Sequence, residues 1–233
     1  MNTILKGLPF VSGAVSLVFA FLVFRRYLLR RGLHLLLWGI GLVFYAVGGL
    51  CEGLYGALGW SPFVFRLWYL FGAVLVAAWL GQGTVYLWVG RPWAHLLLAL
   101  LGVASVYAAI RVLGARLDPA LMTRSFHTGS ELSGHAIVTT GVRSLTPIFN
   151  AYGTIALVGG AVWSAVQFWR KRVLPNRVVG NVLIAIGALL PAFGGAFSRF
   201  GIGGALYLCE LLGVVLMFIG FLRAVAPSST PPK

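Results

Sequence analysis

The chain has 233 residues, of which 60% are hydrophobic and 9% charged, against roughly 25% charged in a soluble domain. That balance excludes an ordinary water-soluble enzyme and places the chain in lipid. The net charge of +14 is not a nucleic-acid footprint, because the basic residues lie between apolar segments, where they set topology and meet anionic headgroups.

About 20 apolar residues cross the hydrocarbon. Stretches of that order fall at 8–24, 33–58, 63–89, 94–113, 146–169, 178–197 and 204–224. The sequence therefore predicts an all-α polytopic membrane protein with seven transmembrane helices, one domain over 1–225 and a disordered tail, 226–233. The first stretch ends in "FRRYLLRR" with no small-residue cleavage site, so no cleavable signal peptide is expected. The connection 114–145 is long and polar and reads as a cap over one face.

Orientation follows from the basic residues. With the N-terminus outside, the inner side holds Arg25, Arg26, Arg30, Arg31, Arg91, Arg170, Lys171, Arg172, Arg177, Arg223 and Lys233, and no acid. The outer half holds Lys6, Arg66, Arg111, Arg116, Arg124, Arg143 and Arg199 together with all four acids, Glu52, Asp118, Glu131 and Glu210. Trp60 and Trp68 then mark the outer interface, and Trp38, Trp88, Trp93 and Trp169 the inner one. The expectation is an N-out, C-in protein of a bacterial-type inner (plasma) membrane, with anionic lipid on its inner face.

Segment 24–55 overlays 170–201 without gaps: Arg26 meets Arg172, Arg31 meets Arg177, and "AVGG" at 46–49 meets "AFGG" at 192–195. A parallel three-plus-one-plus-three repeat would follow.

Both cysteines precede a glutamate, Cys51–Glu52 and Cys209–Glu210. Residues three and four apart share a helix face, so Glu52 lies with Tyr45, Gly48, Gly49, Tyr55 and Gly56. Glu210 lies with Tyr207, Gly213 and Met217. Stripes of small and polar residues face other helices. The cysteines fall on apolar flanks, as packing residues or as a disulfide or metal pair.

An ionisable group inside a membrane marks function by default. Glu52 and Glu210 stand at similar depth, with Arg66, Arg199 and Arg143 as counter-charges and Tyr55, Tyr207 and Asn150 completing the layer. Arg66 with Glu52 is the expected pair. The layer reads as a structural ion-pair network, as an outward-facing pocket for a small polar molecule or ion, or as a catalytic site. Pairing keeps a buried carboxylate ionised, and desolvation favours its neutral form. Pro191 is expected to kink the sixth helix.

His127, Glu131 and His135 recur every fourth residue, a weak metal-ligand pattern broken by Gly129 and Gly134. His34 and His95 could ligate a haem, although both lie shallow at the inner interface. No cofactor is expected. Lys6, Lys171 and Lys233 are all terminal or in loops, which disfavours a retinal Schiff base. No nucleophile–base motif is visible.

The seven-helix N-out layout resembles that of SWEET-type and PQ-loop transporters, but no Pro-Gln dipeptide occurs. The pattern Glu52, Gly59, Trp60, Arg66 is similar to that of uncharacterised bacterial seven-helix proteins and implies no activity. The leading expectation is a transporter. The alternative is a non-catalytic subunit or sensor that docks to another membrane protein; the expected partners are such a protein or a homo-oligomer.

Overall fold

The computed structural model describes residues 3–59, 61–122, 133–171, 175–200, 202 and 204–226. Among them are seven helices long and apolar enough to cross a membrane, with mean hydropathies of 1.3 to 2.3. They are α1 (Thr3–Arg30), α2 (Leu33–Leu58), α3 (Pro62–Trp88), α4 (Arg91–Leu113), α5 (Leu145–Arg170), α6 (Pro175–Arg199) and α7 (Ala205–Val225). Inside a bilayer the backbone must satisfy its own hydrogen bonds, which is why such segments fold as unbroken helices.

Turn chemistry sets the hairpins. Arg31 takes the left-handed conformation (φ 52°) between α1 and α2, with its N–H on Tyr27 O at 2.7 Å. Gly59 (φ 83°) ends α2, and Ser61 caps α3 by accepting from Val64 N at 3.2 Å, with Pro62 in the first turn. The expected first helix, 8–24, is too short: α1 continues through "FRRYLLRR" to Arg30. Arginine and leucine are good helix formers, and arginine stems reach the interface from a buried backbone.

α3 is not a uniform α-helix. Its stretch Trp68–Leu75 is π-helical, a distortion found frequently at functional sites. α6 continues as a helix through Pro191.

Six helices close a ring. α1 packs on α2, α2 on α3, α3 on α5, α5 on α6, α6 on α7, and α7 returns to α1. Two approaches depend on glycine. A Cβ on Gly48 would meet the backbone of Gly72 at 2.8 Å, and one on Gly213 would meet Gly187 O at 2.7 Å. Lipid tails supply no hydrophobic drive between helices, so close backbone packing replaces it.

α4 stands outside the ring against α3. Gln82 on α3, fully buried, donates to Ala94 O at 3.0 Å and accepts from the Tyr152 hydroxyl of α5. Trp79 Nε1 donates to Ser105 Oγ at 3.1 Å. The outward side of α4 exposes Leu96, Leu100, Val103, Val106, Tyr107 and Ile110.

The described parts of the 114–144 connection cover the ends of α3 and α4. Asp118 N donates to Ala136 O at 2.8 Å and Val138 N to Arg116 O at 3.0 Å, around a single bridge between Leu117 and Ile137. Ala136, Ile137 and Val142 are buried in one cluster with Phe65, Tyr69 and Val112. This end of the bundle is the cap side.

Trp88, Trp93 and Trp169 are exposed at the opposite end, as an aromatic belt requires. Trp38 and Trp68 are not belt residues. Trp38 donates to Thr84 Oγ1 at 3.2 Å, and Trp68 is 8% exposed. A buried indole N–H seeks a partner, and both found one on a neighbouring helix. Trp60 lies outside the described residues.

Candidate functional site

The ring surrounds a partly open cavity of about 280 Å³ in its cap-side half. Its wall includes Tyr45 of α2, Trp68 and Gly72 of α3, Thr146, Asn150 and Thr154 of α5, Pro191 and Gly195 of α6, and Glu210 of α7. Along α5 the lining runs from Thr146 to Leu157, a depth of roughly 16 Å at the helical rise. Leu80, Leu157 and Met217 form its floor. The same three residues line a smaller crevice of about 50 Å³ beneath, with Trp38, Thr84, Ser164 and Asn181. One apolar layer thus divides the bundle interior into two compartments.

Glu52 and Glu210 meet at the cavity edge, as the shared depth on α2 and α7 predicts. Glu52 is 2% exposed, and its Oε1 accepts from Trp68 Nε1 at 2.9 Å. Its Oε2 is buried and has no donor with both carboxyls ionised. The Glu210 carboxyl lies close enough to the Glu52 carboxyl for a hydrogen bond between the two side chains. An ionised carboxylate only accepts, so a bond between the two requires one proton between them. Glu210 is half-buried because it borders the cavity. Tyr45 spans the same layer, donating its hydroxyl to Glu210 O at 2.8 Å. Ser12 of α1, fully buried, stands beside that hydroxyl.

The Arg66–Glu52 pair is not formed. Arg66 Nη2 donates instead to Ala115 O at 2.9 Å, just past the end of α4, and its Nε is buried without a partner. Residues two apart on a helix point about 200° away from each other. The face that sends Trp68 to Glu52 therefore turns Arg66 away, toward carbonyls at a helix C-terminus that attract cations. Arg143 is exposed on the cap side near Tyr69 and does not line the cavity. Arg199 ends α6, and its side chain lies outside the described residues. Among the described residues, the cavity lining holds no basic group.

Asn150 joins the wall and donates Nδ2 to Ala73 O at 3.1 Å. Tyr207 is buried and Tyr55 half-buried, and neither is in the lining. The sequence reading missed Trp68, Thr146 and Thr154 as site residues. Only Trp68 left a signal, a tryptophan one helical hairpin away from a buried carboxyl.

Cys51 and Cys209 are free thiols, so the two do not form a disulfide. Among the described residues no group of three or more His, Cys, Asp or Glu could hold a metal. His127 and Glu131 lie outside the described residues, and His135 is exposed on a short 3-10 turn, Ser133–Ala136. His95 Nδ1 is hydrogen-bonded to the Tyr86 hydroxyl at 2.8 Å, and His34 meets Trp38 edge-on at 5.4 Å.

The chain matches no family model, no curated protein and no solved structure.

Proposed function

We propose that this is a membrane transporter that binds a small polar molecule or ion in the cap-side cavity beside Glu52 and Glu210. The observation that carries the reading is a cavity that combines three properties. It reaches an intramembrane carboxyl pair, it draws its walls from five helices, and it ends on an apolar layer with a second compartment beyond. A carrier needs a binding site between two barriers, and transporter sites lie near the membrane midplane between repeat halves. Leu80, Leu157 and Met217 serve as the inner barrier. The π-helical stretch of α3 and Pro191 of α6, both at the wall, are the places where these helices can bend.

The N-out orientation and the inner-membrane assignment belong to this proposal and rest on the asymmetry of the basic residues. Arg26 lies close enough to Arg30 and Arg177 to feel their charge, and no acid lies on that side to balance them. Anionic headgroups supply the missing charge. The parallel repeat is supported by matched glycines. Gly41 and Gly48 of α2 face α3, and their counterparts Gly187 and Gly194 of α6 face α7.

The outward side of α4 favours a second reading, a subunit that docks to a membrane protein through that helix. The two part company on one experiment. Purified protein is screened against small polar solutes and ions by thermal shift, and then by uptake into proteoliposomes. The wild type is compared with Glu52→Gln and Glu210→Gln. The transporter reading expects a ligand response that Glu210→Gln, in the cavity wall, loses and that Glu52→Gln, behind it, alters, with both variants remaining folded. A wild type with no ligand response and no uptake, or variants that respond like the wild type, would defeat it.

A further inference from the structure

The wall of the cavity says what kind of molecule it takes. Its described lining is mostly apolar, carries two aromatic rings, Tyr45 and Trp68, and has one carboxyl, Glu210. Behind Glu210 stands Glu52, 2% exposed, with Oε2 lacking a donor. Acids alone would not make a site. This one has a cavity in front of the acids and, once both are ionised, a buried carboxylate oxygen behind them that no protein donor satisfies.

An anion entering this space would meet a carboxyl pair and no described basic side chain. A neutral polar molecule would make no use of the pair's charge. A monovalent cation with an apolar or aromatic body suits this wall: the carboxyls take its charge, the aromatic faces favour it further, and the apolar lining takes its body.

Resting on the reading of the cavity as a binding site, we propose that its substrate is a monovalent organic cation, bound in exchange for the proton that Glu52 and Glu210 share. The exchange balances. Before binding, one carboxyl is protonated and hydrogen-bonded to the other, and the pair holds one negative charge. The cation then sits against both carboxylates, and the O–H bond of the acid breaks. The proton leaves to bulk water, and the site again carries one net negative charge. A cation held against the pair favours the ionised form of both carboxyls, and this drives the shared proton off. Loading by proton or by cation is therefore mutually exclusive, which is the requirement for proton–cation antiport.

The test uses the full chain in lipid nanodiscs with three aromatic probes of similar size: benzyltrimethylammonium, the neutral N-benzylacetamide and the anion phenylacetate. Binding is measured by calorimetry, and proton release by a pH indicator in weakly buffered solution, with empty nanodiscs subtracted. The expected result is preference for benzyltrimethylammonium by at least about tenfold, with roughly one proton released per cation bound. Affinity should fall about tenfold per unit of decreasing pH while the pair holds its proton, the slope of one linked proton. Glu210→Gln should lose both the preference and the proton release. Glu52→Gln, which removes the shared proton without removing Glu210, should lose the release. Equal binding of the neutral probe, or cation binding without proton release by the wild type, overturns the cation inference and leaves the cavity reading standing. Binding of none of the three probes removes both. The proton count is read on the wild type, so a variant that fails to fold does not rescue the proposal.

Discussion

Trp68→Ala is expected to destabilise the bundle by about 3–5 kcal/mol, the range for truncating a large buried aromatic. Two losses combine. The indole leaves a hole between the π-helical stretch of α3 and the cavity, and Glu52 Oε1 loses the donor it holds at 2.9 Å. Trp68→Phe separates them, because it keeps most of the ring volume and removes only the N–H. It should cost about 1–3 kcal/mol, the penalty for leaving a buried acceptor unsatisfied. Unfolding in mixed micelles measures both. In a double-mutant cycle, Glu52→Leu and Trp68→Phe together should cost clearly less than the sum of the single changes, since neither polar partner is then orphaned. A Trp68→Phe protein as stable as wild type would mean that the indole–carboxyl bond contributes nothing.

The second large effect is steric. Gly213→Leu is expected to cost about 3 kcal/mol, the upper part of the range for overpacking. Even the Cβ of that leucine would lie 2.7 Å from Gly187 O and 3.2 Å from Pro191 Cδ, and backbone cannot step aside as a side-chain tip can. α6 and α7 share the most extensive helix interface of the bundle, so separating them opens the cavity wall as well. Gly159→Ala is the matched control. Nothing lies within 4 Å of its added Cβ, and the change should be neutral or stabilise by up to about 1 kcal/mol through helix propensity. Thermal unfolding of the two variants checks the contrast. Equal stabilities would show that glycine contacts do not hold these helices together.

Much of this architecture is written in the chain. Helix number and approximate span follow from hydropathy because lipid permits little besides an unbroken helix. The glutamates were legible too: 3.6 residues per turn places Glu52 and Glu210 on small-polar stripes, and such stripes face inward. Their partners were not. Pairing by charge and depth pointed to Arg66, yet rotation about α3 gives Glu52 an indole and sends the guanidinium to Ala115. Charge attracts at a distance, but the helical angle decides which side chain arrives. The π-helical stretch left no mark in the hydrophobic pattern either, since every residue of "WYLFGAVL" is apolar, aromatic or glycine. The cavity floor was invisible for a related reason. Leu80, Leu157 and Met217 are ordinary apolar residues on three separate helices, and only the closed ring brings them into one layer.

The central claim is that the cavity opens to the cap side and is closed from the other by that layer. Cysteine accessibility tests it most directly. In a chain carrying Cys51→Ala and Cys209→Ala, a single cysteine is introduced by Thr154→Cys in the cavity or by Ser164→Cys in the crevice below the layer. Each variant, in vesicles of known sidedness, meets a membrane-impermeant cationic methanethiosulfonate added to one face at a time. Thr154→Cys should react faster from the cap side, and Ser164→Cys faster from the opposite side. A Thr154→Cys protein that stays unmodified from the cap side, or that reacts equally fast from both, would contradict the account.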